Sequence, residues 1–92
     1  MLVKFEHVNI VKFGGGVSSK NGKQWQNISI FDHDNYRLIP IMVSSHYQGI
    51  EINHQNIKPD LFFDVTCNCF ARNKDKNYGY DMQVIEIKDC DE

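Results

Sequence analysis

Apolar and polar residues alternate with the period of a β-strand along most of the chain, and clusters of Gly, Asn, Asp and Ser punctuate the runs. Val3 to Phe13 is rich in Val, Ile and Phe. Its apolar phase slips between Phe5 and Val8, the mark of a strand with a bulge or a sharp bend. Gly14 to Lys23 opens on three consecutive glycines and is expected to be a mobile connection. Gln24 to Asp32 alternates cleanly, with Gln26, Ile28 and Ile30 opposed to Trp25, Asn27, Ser29 and Phe31. His33-Asp34-Asn35 supplies a turn, and Tyr36 to Ser44 the hairpin partner. Ser45 to Asp60 lacks strand alternation, is closed by Pro59, and reads as a short or irregular helix packing through Ile50, Ile52 and Ile57. Leu61 to Arg72 and Tyr80 to Lys88 are two further strands joined by a hairpin loop at 73–79.

The resulting order is three strands, an irregular or helical segment, then two strands. An all-β, five-stranded Greek-key barrel of the OB type requires that order and a bent first strand. Five strands with one apolar face each cannot bury those faces as a flat sheet, whereas curling into a barrel buries them and removes most open edges. An SH3-like barrel or an open sheet carrying one helix is the competing architecture.

The chain has 92 residues, enough for one domain, read here as 1–88 followed by a short acidic tail at 89–92. The longest strongly apolar run, Leu38 to Val43, is interrupted by Pro40 and cannot form a membrane helix. Charge within Met1 to His7 is expected to exclude a signal peptide, and three cysteines, an odd number, point to a reducing, cytoplasmic setting. Net charge is −2, yet residues 1–88 hold ten basic and nine acidic groups. Lys12, Lys20 and Lys23 fall in a stretch without acids, and Arg72, Lys74 and Lys76 form a second basic cluster. Local potential, not net charge, steers a polyanion.

On the strand from Phe63 to Arg72, the residues Phe63, Val65, Cys67, Cys69 and Ala71 share the inward face. Phe70 is left outward between Asn68 and Arg72. The same alternation puts Trp25, Asn27 and Phe31 on the outside of the second strand, on what is expected to be a neighbouring face. Exposed rings interleaved with amides make a stacking platform for unpaired bases, worth about 1–3 kcal/mol per base. Lysines in the loops at 14–24 and 73–79 would neutralise phosphates, and Tyr78 and Tyr80 bring further rings to the second loop. The expected nucleic-acid site is therefore Trp25, Phe31, Phe70, Tyr78 and Tyr80 for bases, Lys20, Lys23, Arg72, Lys74 and Lys76 for the backbone, and Asn27 and Asn68 for hydrogen bonds. The competing account has Trp25 and Phe31 covering an open barrel end and Phe70 packing under 45–60.

Cys67 and Cys69 share a strand face, and His46, His54 or Cys90 would have to complete a zinc site, but no second paired-ligand motif exists. No serine or cysteine is paired with a base in sequence, so no enzymatic activity, metal or cofactor is expected.

The layout of a Gly-rich segment, then Gly22-Lys23-Gln24-Trp25-Gln26-Asn27-Ile28-Ser29-Ile30, then a hairpin and a strand pair around Tyr78-Gly79-Tyr80 resembles small OB-fold single-stranded-DNA-binding proteins. Those of bacteriophages and mobile elements are nearest in style. The chain departs from them in its slight net acidity and in lacking an acidic-hydrophobic tail. The resemblance implies a homo-oligomer that coats single-stranded DNA in replication, recombination or transfer; RNA would serve the same contacts, since only the 2′-hydroxyl discriminates. The same rings would alternatively serve a protein-interaction module.

Overall fold

The computed structural model describes residues 1–74 and 77–90; the side chains of 72–78 lie outside the described residues. Strands β1 (Leu2–Val17), β2 (Gln24–Asp32), β3 (Arg37–Gly49), β4 (Phe62–Lys74) and β5 (Asn77–Asp89) close into a barrel in the order β1-β2-β3-β5-β4. Every ladder is antiparallel except β3–β5, which is parallel and closes the barrel in the manner of an OB-type fold. Among the described residues no helix is long and apolar enough to cross a membrane.

β1 serves both sides of the closure. Its first half pairs with β4 and its second half with β2, and both ladders meet at Asn9. The phase slip seen in the sequence is a register shift between Phe5 and Val8, with His7 at a φ of 55° inside it. A non-glycine residue in that region is uncommon, and here the His7 amide N–H donates to Asp64 Oδ1 at 3.1 Å.

The inward face of each strand supplies the core. Ile10, Ile28, Ile30, Phe63, Val65, Cys67, Val84 and Ile87 are all essentially inaccessible. Each buried aliphatic side chain stabilises by roughly 1.5–3 kcal/mol. The expected inward set on β4 is thus correct through Cys67. Beyond it Cys69 is half-buried and Ala71 exposed, because β4 and β5 continue past the barrel as a two-stranded ribbon.

Three expectations need correction. The glycine stretch is not a mobile connection: Gly14, Gly15 and Gly16 pair in register with Asn27, Gln26 and Trp25. What remains of the connection, Ser18 to Lys23, is a turn closed by the Ser18 amide donating to the Lys23 carbonyl and the Gly22 amide donating to the Ser18 carbonyl, both at 2.9 Å. Residues 45–49 belong to β3. A shift between Val43 and Gln48 hides their alternation, and Gln48 and Gly49 pair with Glu86 and Ile87. The rest of the 45–60 segment forms no helix beyond a single turn, in which the Ile57 amide donates to the Asn53 carbonyl at 2.9 Å. Asn53 Oδ1 caps that turn by accepting from the amides of Gln55 and Asn56, and Ile52 and Ile57 plug the barrel end.

Candidate functional site

Register fixes which candidate side chains share the outer surface. The pairs Gly14–Asn27, Asn27–Met42, Met42–Gln83 and Gln83–Asn68 link in sequence, so one row runs across β1, β2, β3, β5 and β4. Asn27 and Asn68, both expected at the site, stand in this row. Met42 and Asn68 are exposed, and Asn27 and Gln83 half-buried. Lys12, opposite Ser29 on β1, lies two residues along the same face.

Trp25 stands next along β2 and is 40% exposed. Its indole lies across Gly16: a Cβ on that glycine would sit 3.2 Å from Cζ2, 3.3 Å from Cε2 and 3.4 Å from Nε1. Glycine is what allows the ring to lie against the β1–β2 hairpin, as aromatic side chains do over cross-strand glycines. Gly14 likewise leaves room for the Asn27 side chain, whose Oδ1 would lie 3.4 Å from a Cβ there.

Just beyond the row, β2 and β3 part. Their ladder ends at Asn27–Met42, and β3 continues against β5. The fork holds a groove of about 480 Å³ lined by Gly15, Gly16, Gln24, Trp25, Gln26 and Ser44 among others, none of its lining residues charged. The turn at its mouth carries exposed Lys20 and Lys23. The Lys20 amide donates to Ser18 Oγ at 3.3 Å and the Lys23 amide to Asn21 Oδ1 at 3.0 Å, so the turn is braced by its own polar residues.

The remaining expected residues do not join this group. β2 and β4 are not neighbours: β1 separates them on one side of the closed barrel and β3 and β5 on the other, and along the polar row Trp25 and Phe70 lie on opposite sides of it, on the order of 20 Å apart over β3 and β5. Phe70 is 40% exposed and pairs with Asp81, whereas Tyr80, 73% exposed, pairs with Ala71 and so occupies the other face of the ribbon. Arg72, Lys74, Lys76 and Tyr78 fall outside the residues whose side chains are described.

Phe31 stands near the opposite end of β2 from Trp25. It is half-buried, and its ring meets His33 edge-on at 4.8 Å. His33 Nε2 lies 2.7 Å from Asn9 Oδ1, and Asn9 Nδ2 donates to the Leu61 carbonyl. His7 stacks on Phe62 with centroids 4.1 Å apart and planes 7° from parallel. His7, His33 and Phe62 border a cleft of about 590 Å³, also lined by Lys4, Glu6, Asp32 and Asp34.

Of the residues weighed for zinc, Cys67 is wholly buried, and burial first, then Cys69, pushes its thiol up to about 11. Cys90 Sγ lies 3.3 Å from His7 Nδ1. Among the described residues, no three His, Cys, Asp or Glu side chains converge as a metal site would need.

Sequence reasoning missed Gly14 to Gly16, Met42, Ser44, Gln83 and Lys12. A signal for the glycines was present. Lys12-Phe13-Gly14-Gly15-Gly16 runs one for one, in reverse, against Trp25-Gln26-Asn27-Ile28-Ser29 once the turn is closed at 18–23. No protein-family model, no curated protein and no solved structure matches this chain.

Proposed function

We propose that this chain binds single-stranded nucleic acid, DNA foremost, with little sequence preference, and coats it during replication, recombination or transfer. The observation that carries the reading is the Trp25 indole, exposed over Gly16 beside an uncharged groove and a lysine-bearing turn. Stacking on such a ring is indifferent to sequence because every base has a π-face. Lysines at the groove mouth attract the backbone, and each phosphate neutralised releases a counterion. In barrels of this type the outer face of strands 2 and 3, with the loops between strands 1–2 and 4–5, is the usual oligonucleotide surface.

Titrating Trp25, the only tryptophan, with oligo-dT at rising salt tests the reading. Emission is expected to be quenched, and log affinity to fall linearly with log salt at about 0.7 per phosphate neutralised. Affinity that does not change with salt would remove the polyanion from the account.

A second reading rests on β3, where Leu38 is 56% and Met42 44% exposed on the same outer face. Apolar residues there suit a protein partner or a second copy. Size exclusion with and without oligonucleotide separates the two: an assembly indifferent to DNA favours the protein interface.

A further inference from the structure

We infer that the fork between β2 and β3 seats one unpaired nucleobase against the Trp25 indole, without a charged contact, and that Gly16 sets the pitch of the ring. This rests on the nucleic-acid reading and adds where on that surface a base goes and where a phosphate does not.

The fork follows from the closure. β3 must leave β2 after Met42 to reach β5, and Gln24 to Gln26 and Val43 to Ser44 therefore diverge around the groove. Its polar side chains are the amides of Gln24 and Gln26 and the hydroxyl of Ser44. A primary amide offers both donors and an acceptor, and a hydroxyl does the same, so the edge of any base finds partners there. A phosphate finds no cation in the groove and is better placed outside it, at exposed Lys20 and Lys23. The indole is the one large π-surface in the groove. A methyl group on Gly16, within 3.4 Å of three of its ring atoms, would tip it away from the β1–β2 hairpin.

The base seat should therefore contribute an affinity term that salt does not touch, while the lysine turn contributes one that salt removes. The ambivalent amides leave the four bases nearly equivalent in the seat.

Oligo-dT and an abasic deoxyribose-phosphate strand of equal length separate the two terms, read by anisotropy of labelled strands and by Trp25 emission at several salt concentrations. Oligo-dT should bind about tenfold or more tighter and quench Trp25, and the abasic strand should leave the emission unchanged. Both affinities should fall with salt while their ratio stays constant. Gly16→Ala should bring that ratio toward one and leave the abasic strand bound as before. Equal affinity for the two strands, with Trp25 unquenched, overturns the base seat and leaves the binding surface standing. Failure of both strands to bind at low salt overturns the nucleic-acid reading itself. A ratio that collapses as salt rises shows a charged contact in the groove and overturns the neutral seat. Should Gly16→Ala fail to fold, the strand comparison on the unaltered chain decides the question alone.

Discussion

Two clefts flank β2, one at each end, and both arise where a neighbouring strand abandons its ladder. β3 leaves β2 beyond Asn27–Met42, and β1 leaves it beyond Asn9–Phe31. Both clefts are walled by rings, Trp25 at the first and His7, Phe62 and His33 at the second. They differ in charge and in what occupies the ring faces. Besides Trp25, the first is lined by amides, a hydroxyl, glycines and two valines, with lysines at its mouth. The second sets Glu6, Asp32 and Asp34 against Lys4, and two of its rings, His7 and Phe62, are already stacked on each other. A ring by itself therefore does not make a base site. It needs an open face and a potential that admits phosphates, and only the Trp25 end combines them.

Truncating one ring in each cleft sharpens the contrast and carries the largest expected effect. Trp25→Ala should weaken oligo-dT binding about five- to a hundredfold, the loss of one stacked base, and leave the melting temperature nearly unchanged. Phe62→Ala should do the reverse. It removes the stack with His7, worth about 1 kcal/mol, and should lower the melting temperature by roughly 4–8 °C while binding stays within a factor of two. Thermal melts and titrations on both variants check this, and exchanged phenotypes would move the site to the other end of β2.

How much of this is legible in the chain divides along the same line. Strand alternation and the phase slip at Phe5–Val8 are local signals, and the five-strand barrel with its bent first strand follows from them. Parity alone places Cys67 and Phe63 inside, and Trp25 and Phe70 outside. Parity within a strand does not say which strands adjoin, so the expectation that β2 and β4 present neighbouring faces has no support in the pattern. Phe31 shows the limit most clearly. Its alternation points outward, but its ring is engaged by His33, whose orientation is fixed by Asn9, 24 residues earlier. The glycines mislead for a related reason: a triplet looks like a flexible breaker until the opposing strand brings Trp25 over it.

Charge substitutions test the electrostatic half of the contrast, with a smaller effect at moderate salt. Replacing Lys20 and Lys23 by Gln should reduce the slope of log affinity against log salt by about 0.7 for each phosphate that is no longer neutralised. Glu6→Gln with Asp34→Asn, in the other cleft, should leave that slope unchanged. Equal slopes for both double variants would mean that the turn at 18–23 does not touch the backbone.

The smallest effect concerns the acidic end alone. Asp32 opens the β2–β3 turn, where the Asn35 side-chain amide donates to Oδ2 at 2.9 Å, the amides of Asp34 and Asn35 donate to Oδ1, and Arg37 Nε lies 3.4 Å from Oδ2. The Asn35 amide is the leading cause holding this carboxyl below its ordinary value of 3.8, against an opposing desolvation, with the two backbone amides and Arg37 adding to the depression. A depressed carboxylate stabilises the folded chain fully above its unfolded value, and the contribution disappears as pH falls from about 4 through the lower folded value. The turn is open to solvent, which screens these contacts, so the loss is small and confined to that window. Asp32→Asn should therefore melt slightly below the parent at neutral pH and converge with it on acidification, while oligo-dT binding at pH 7 is expected to be unchanged because the turn lies at the opposite end of β2 from the proposed base seat. A binding defect in Asp32→Asn at neutral pH would show that the two ends of β2 act together on the same ligand.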